Sequence, residues 1–239
     1  MKRIFRYLPL FLLPAFSVPL AHAQYGFDFG LGFGAMQDSA NGQGTEGNPD
    51  VSYPNFYTPC TLRSDVTCVA NNKLSGFAMS VGGNVMAWKH FGIGAEVNFQ
   101  PGQQTYVAFP PIESVTEGAL PATTIKERMT LYDFNGIYQP VRTKKVAFQI
   151  AAGVGGANLR FYETYPSGST IGPSNFNEYF GSNNHFQVHG GVGVQLFVTD
   201  HVFIRPQFDV HYVPNLTQQF GRDLVISETV WVGFSFGGQ

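Results

Sequence analysis

Charge is scarce in this 239-residue chain. Charged residues make up 13% of the sequence, against about 25% in an average soluble domain. A soluble surface of this size normally carries more charge, so we expect part of the surface to be apolar. The net charge of −2 excludes the strongly basic surface typical of nucleic-acid binding, and we expect no nucleic-acid partner.

Long apolar runs are missing beyond the first 23 residues. No later segment carries the ~18 consecutive apolar residues of a membrane-spanning helix, which excludes such helices after that point. The mean hydropathy of −0.05 is ordinary for a soluble protein. It does not exclude a membrane β-barrel, because the alternating strands of a barrel average out in this value.

The start of the chain is the exception. Lys2 and Arg3 precede an apolar run over residues 7–20, which ends in an A-x-A motif at residues 21–23. This order of features predicts a cleaved signal peptide over residues 1–23 and therefore export. The alternative, a membrane anchor, is disfavoured because the run is short and prolines interrupt it.

Cysteine is nearly absent, since Cys60 and Cys68 are the only two. They lie in one polar segment of a chain that we expect to be exported, so the pattern predicts a local disulfide. Closing so short a loop should stabilise the fold by ~2–3 kcal/mol. A two-cysteine metal site is the alternative, but no histidine lies nearby. We predict no metal site and no cofactor.

Alternation of large apolar residues with glycine and polar residues is abundant. In residues 25–36 every odd position up to 35 is aromatic, leucine or alanine, and the even positions up to 34 are glycine or Asp28. A period of two indicates a β-strand with one apolar face. Similar alternation recurs, less cleanly at 132–138, in the segments 77–87, 91–99, 132–138, 146–154, 186–196, 202–212 and 226–236.

The connections between these segments alternate between two kinds. Short turns surround Lys89–His90, Arg142–Lys145 and Thr199–His201. Long polar connections occupy about 37–73, 101–126, 163–184 and 213–223. Long loops at one end and tight turns at the other are typical of outer-membrane barrels. The sequence therefore predicts an all-β fold over residues 24–239, an eight-stranded antiparallel up-and-down transmembrane β-barrel with four long extracellular loops.

Packing decides which face of the strands meets lipid. The interior of an eight-stranded barrel is narrow, so it has room for glycine and a few polar groups but not for the aromatic face. We therefore expect the aromatic face to point outward and the polar face to fill the lumen. The residues predicted to face lipid include Phe27, Phe29, Phe33, Val97, Phe148, Val194, Phe208, Phe234 and Phe236. The predicted polar network of the lumen is Asp28, Glu96, Asp133, His189, Arg205, Asp209 and His211.

The lumen charges allow two interpretations. Unpaired buried charge is expensive, so the first is a network of ion pairs and hydrogen bonds that plugs the barrel. The second is a gate, in which Arg205 exchanges acidic partners to open a thin pore for cations. Catalysis would need a serine beside a histidine. Ser182 and His185 are close in sequence, but we predict no catalytic residues and no enzymatic activity.

The A-x-A signal, the eight alternating strands and the ending over residues 230–236 together resemble a known family. They look like the small outer-membrane β-barrels of Gram-negative bacteria, the porin-like group that contains the membrane domain of OmpA and the opacity-type proteins. The resemblance implies localisation in the outer membrane, contact with its lipid and recognition by the barrel-assembly machinery. We expect a monomer.

Function is expected to be structural or to involve surface interaction through the long loops, which are common carriers of binding. The surface partner is not indicated by the sequence. The alternatives are a narrow channel for ions or small polar solutes, an outer-membrane lipid-modifying enzyme, and a soluble lipid binder with its aromatic residues inside.

Overall fold

The computed structural model describes residues 26–38, 69–70, 74–109, 112–114, 118–120, 123–164, 177–216, 220 and 222–237. Within these ranges the chain is almost entirely β-structure. None of its helical residues belongs to a helix long and apolar enough to cross a membrane.

Twelve strands occur in the described ranges. Eight of them form the barrel, and the other four are short strands within the connections. The barrel strands are β1 (Gly26–Asp38), β3 (Ser75–Met86), β4 (Phe91–Phe99), β8 (Thr123–Arg142), β9 (Val146–Thr164), β10 (Asn177–Phe197), β11 (Val202–Tyr212) and β12 (Leu224–Phe236). The short strands are β2 (Val69–Ala70), β5 (Gln104–Phe109), β6 (Ile112–Ser114) and β7 (Gly118–Leu120).

The sheet closes on itself, with every neighbouring pair antiparallel. Around the barrel the strands follow the order β8-β4-β3-β1-β12-β11-β10-β9, and β9 pairs again with β8. The first and last strands meet in a register that places Phe27 opposite Phe236. This arrangement confirms the predicted eight-stranded antiparallel up-and-down barrel, and closure leaves no barrel edge unpaired, as hydrocarbon surroundings require.

Alternation in sequence becomes alternation of the two barrel faces. From Gly26 to Gly32 of β1 the glycines and Asp28 are buried inside, and Phe27, Phe29 and Leu31 are exposed outside. A strand presents successive side chains to opposite faces. The polar or small face therefore lines the lumen, and the aromatic face covers the outer wall.

Three strands extend far beyond their predicted bounds. β8, β9 and β10 contain 20, 19 and 21 residues, so strand occupies parts of the predicted loops 101–126 and 163–184. The short strands β5, β6 and β7 also lie within 101–126. The added parts, such as Thr123–Glu127, carry little apolar alternation, so hydrophobic periodicity does not reveal them. The predicted loop 213–223 matches the interval between β11 and β12.

Two prolines have different effects on the sheet. Pro206 in β11 causes no bulge, because β11 keeps one register with β12 throughout. Pairing with β10 is interrupted beside it and resumes in the same register at Leu196↔Ile204. A bulge does occur in β8, between Tyr138 and Val141, and it includes Pro140. Proline has no N–H to donate to the neighbouring strand, and the extra residue of the bulge accommodates this gap in the hydrogen bonding.

The predicted signal peptide and the predicted disulfide fall outside the part of the chain that the structure describes. Residues 1–23 and both Cys60 and Cys68 are outside the described residues. Most of the predicted loop 37–73 is outside them too, except its first two residues and β2. These expectations stay predictions.

Candidate functional site in the barrel lumen

The lumen has three layers, and the upper one is apolar. Here the end of the barrel that carries the long connections is called the long-loop end, and the opposite end the short-turn end. The upper layer lies at the long-loop end, and its members come from strands, from the residue before β3 and from the connection after β11. It consists of Met36, Leu74, Ala78, Met129, Leu131, Ala157, Leu159, Phe161, Val213, Leu216, Phe220 and Val225. All of them are at most 1% exposed, so this layer covers the long-loop end of the lumen.

The lower layer, at the short-turn end, combines apolar side chains with an arginine. Met86, Ile137 and Ala151 form a second buried cluster. Below it, Arg142 donates from Nη1 to the side-chain oxygen of Gln139 at 2.9 Å. Its guanidinium also lies against Gly26, where a Cβ would come within 3.1 Å of Nη2. Arg142 therefore fills space near the start of β1.

Between these layers lies the polar network. All seven residues predicted to form it point inward, with exposures between 0% and 8%. They come from β1, β4, β8, β10 and β11, so the network reaches across the lumen rather than along one wall.

Arg205 is held by an amide and an aromatic ring. Its Nη1 donates to Gln149 Oε1 at 3.2 Å, and its guanidinium carbon lies 4.7 Å from the centroid of the Trp231 ring. Such stacking of a cation on an indole is favourable, more so when water is excluded. Among the described residues, no acid forms a salt bridge with it. The carboxylates whose charges act on it are those of Glu96, Asp28 and Asp209.

An amide joins two of the buried acids. Gln207 Nε2 donates to Glu96 Oε2 at 3.1 Å and to Asp209 Oδ2 at 2.9 Å. Glu96 also accepts from Asn98 Nδ2 at 2.9 Å, and Asn98 accepts from the Ser80 hydroxyl. The donors that satisfy these acids are thus mainly neutral amides, which link β3, β4 and β11 across the interior.

Two histidines and two aspartates form a compact cluster beside this amide. The rings of His189 and His211 are cross-strand neighbours on β10 and β11, stacked with centroids 4.7 Å apart. His189 Nε2 lies 3.0 Å from Asp209 Oδ1, and its Nδ1 lies 2.8 Å from Asn135 Oδ1. His211 Nδ1 lies 3.8 Å from Asp133 Oδ1. All these side chains are buried.

The network predicted from the sequence omitted the amides and the tryptophan that organise it. Gln149, Gln187, Gln207 and Trp231 all lie on the inward face of their strands. Gln187, for example, donates to Asp133 Oδ1 at 2.5 Å. Strand parity alone would have placed them in the lumen, but a search restricted to charged residues passes over them.

The outer wall carries all nine residues predicted to face lipid. Six of them, Phe27, Phe29, Phe33, Phe208, Phe234 and Phe236, are between 41% and 55% exposed. Val97, Phe148 and Val194 lie on the same face, partly covered by neighbours. The alternative of a soluble barrel with these aromatic residues inside is therefore wrong.

The one serine and histidine considered for catalysis do not meet. Ser182 and His185 lie three positions apart on β10, and successive residues of a strand alternate between its faces. The two side chains therefore project from opposite faces of the strand. A nucleophile and its base must lie within hydrogen-bonding reach, so this pair does not form such a site.

A closed barrel with an apolar outer wall and a polar interior is a transmembrane β-barrel. The family described as "Outer membrane protein beta-barrel domain" matches residues 8–231. The chain belongs to this family, and its location is accordingly the outer membrane.

Three solved structures of outer-membrane barrels are similar to this chain. The chain is similar to a major outer membrane protein from Thermus thermophilus, with a TM-score of 0.52 and 10% identity over 90% of this chain and 100% of that chain. It is also similar to Ail, the attachment invasion locus protein of Yersinia pestis, in complex with the heparin analogue sucrose octasulfate (TM-score 0.46, 11% identity, 89% and 99% of the two chains). The N-terminal β-barrel domain of Pseudomonas aeruginosa OprF is a third (TM-score 0.43, 10% identity, 90% and 98%). A search of curated proteins found no match.

Proposed function

We propose that this protein is a closed outer-membrane barrel with a structural and surface-interaction role, rather than a channel or an enzyme. The burial of the lumen side chains carries this proposal. Residues that line an aqueous pore are wetted, whereas the polar side chains at the centre of this lumen are at most 8% exposed. The apolar layer above the network, and the layer of apolar side chains and Arg142 below it, are consistent with a plugged interior.

The extension of three strands past the membrane supports the surface role. A tilted strand crosses a bilayer with ~9–11 residues, and β8, β9 and β10 have 20, 19 and 21. The extra residues stay hydrogen-bonded, because β9 pairs with β10 up to Thr164↔Asn177 and β8 pairs outside the barrel with β5. This projecting sheet is a rigid base for the long connections, and loops on rigid scaffolds commonly bind partners.

We further propose the biogenesis that the sequence predicts. Residues 1–23 direct export in a Gram-negative bacterium, and the barrel-assembly machinery inserts the chain. The mature barrel is a monomer surrounded by outer-membrane lipid, with its short turns facing the periplasm.

Conductance tests the closed lumen. We expect the purified chain in planar bilayers to give no steady current steps, while a porin in the same membranes conducts. Ions need a continuous water-filled path, and the buried network leaves none along its side chains. Steps that appear with the native chain, disappear in Glu96→Gln and persist in the outward-facing Glu228→Gln would overturn the proposal in favour of a gated channel.

Epitope tags test the orientation and the surface display. A tag inserted in the connection 165–176 should be detected by antibody on intact cells. The same tag inserted in the turn at Lys144 should be detected only after the outer membrane is permeabilised. Equal signals from both in permeabilised cells control for expression. Detection of the turn tag alone on intact cells would show the opposite orientation. The projecting sheet would then not lie on the cell surface, and it could not have the proposed surface role.

A further inference from the structure

We propose that Asp133, His189 and His211 bind a divalent transition-metal ion, with Zn²⁺ as the best match, inside the barrel lumen. One ligand atom from each residue can be chosen so that all three lie within 4.8 Å of one another. Two imidazoles and a carboxylate are donors that suit zinc. This inference departs from the sequence-based prediction of no metal site.

Unsatisfied polar atoms point to a missing ligand. Neither ring nitrogen of His211 has a hydrogen-bond partner among the described residues, and neither does Asp133 Oδ2. Both side chains are fully buried. A buried polar atom without a partner costs ~1–3 kcal/mol, and native structures hold few of them. A metal ion would satisfy a His211 nitrogen and the Asp133 carboxylate together.

One of the two hydrogen-bond contacts of His189, the contact with Asp209, matches that of a metal ligand. Metal-binding histidines commonly donate their other ring N–H to a carboxylate. His189 Nε2 already lies 3.0 Å from Asp209 Oδ1, which leaves Nδ1 for the metal once the Asn135 amide turns away. Asp209 is itself fixed by Gln207, whose Nε2 donates to it at 2.9 Å.

Glycines keep the space around the cluster open. A Cβ on Gly153 would overlap Asn135 Oδ1. One on Gly191 would overlap Asp209 Oδ1 and lie 3.2 Å from His189 Nε2. Because these positions lack side chains, groups from β8, β10 and β11 can meet in the lumen.

The distances require only side-chain movement. Around a four-coordinate zinc, with ligands at ~2.0–2.1 Å, the ligand atoms lie roughly 3.3 Å apart. The separation of 3.8 Å between His211 Nδ1 and Asp133 Oδ1 is already near this value. Rotation of the imidazoles and the carboxylate contracts the rest of the cluster without a change in strand register.

Metal retention tests the proposal. The chain is extracted from membranes in detergent, unfolded with a chelator and refolded with Zn²⁺. After gel filtration in metal-free buffer we expect about one zinc per folded chain by elemental analysis. We expect at least a tenfold lower affinity in His211→Gln and in the isosteric Asp133→Asn. His201→Gln, on the exposed turn between β10 and β11, is the matched control and should retain the metal.

Folding is followed separately by the heat-dependent shift on an SDS gel, so that a misfolded variant is recognised. Asp133→Asn keeps the oxygen that accepts from Gln187 and serves as the decisive variant if His211→Gln does not fold. Co²⁺ in place of Zn²⁺ provides a visible absorption spectrum that reports the ligand field directly. Failure of the native chain to retain metal, or equal retention by Asp133→Asn, would overturn the proposal and leave water as the filling of the cluster.

Discussion

Gly155→Ala should prevent the barrel from closing. Gly155 lies on β9, where it pairs with Asp133 of β8 and Gln187 of β10. A Cβ at this position would overlap the backbone carbonyl oxygen of Tyr132 and come within 2.9 Å of the Asp133 Cα. The obstacle is backbone, so no change of side-chain rotamer relieves it, and β8 and β9 must separate.

We expect a destabilisation of about 3 kcal/mol or more, at the upper end of overpacking effects. That corresponds to more than a hundredfold in the ratio of folded to unfolded chains. On an unboiled SDS gel the fast-migrating folded band should be lost, and urea unfolding in detergent should shift strongly to lower urea.

Gly190→Ala is the matched control. Gly190 lies on the outer wall of β10, and a Cβ there would meet no atom within 4 Å. The free energy of unfolding of Gly190→Ala should stay within about 0.5 kcal/mol of the value for the native chain. If both variants fold alike, the close approach of β8 and β9 at Gly155 is not what fixes this part of the barrel.

The membrane explains why so much of this fold can be predicted from sequence. A lipid-facing wall must be apolar at every second residue and each backbone group must pair within the sheet. Alternation in the sequence therefore indicates both the strands and their faces. The parity that placed Phe29 outside and Asp28 inside holds along the whole of β1 up to Phe33.

Beyond the membrane-spanning parts of the strands, the apolar alternation that predicts strands in the sequence is weak. The upper parts of β8, β9 and β10 exceed the length that crosses a bilayer, so their outer face need not be apolar, although Met129 and Phe161 still contribute to the apolar layer inside. Residues such as Glu127 and Asn183 lie in strand without the alternation that indicates strand. Hydrogen bonding to β5 and between β9 and β10 extends the sheet there, and this pairing depends on tertiary structure.

Contacts across the lumen are predictable only in part. His189 and His211 are equally distant in sequence from Asp200, so the short turn between β10 and β11 places them opposite each other. Their approach to Asp133 depends on the stagger of the strands around the barrel, and this stagger cannot be predicted from the sequence pattern. The approach of Gln149 to Arg205 depends on the same stagger.

Arg205→Met should destabilise the barrel because it leaves a group of buried acids without their cation. Arg205 is 4% exposed, and Glu96 and Asp209 are 8% and 0% exposed. The charges of both acids, and that of Asp28, act on the guanidinium. Removing one side of a buried charge arrangement costs about 3–5 kcal/mol. Methionine keeps much of the side-chain volume beside Trp231. The loss of stability therefore measures the removal of the charge more than a change in packing.

Urea unfolding in detergent measures this loss, and Arg160→Met is the matched control. Arg160 is exposed and donates from Nε to Asn158 Oδ1 at 3.0 Å, so its replacement should change stability by at most about 0.5 kcal/mol. The double variant Arg205→Met with Glu96→Gln should recover part of the stability, because it removes one of the acids left without the cation. A loss in Arg205→Met no larger than in Arg160→Met would contradict this account. The neutral amides of Gln207 and Asn98 would then be sufficient to hold the buried acids, and the stability of the lumen would depend on hydrogen bonding rather than on opposite charge.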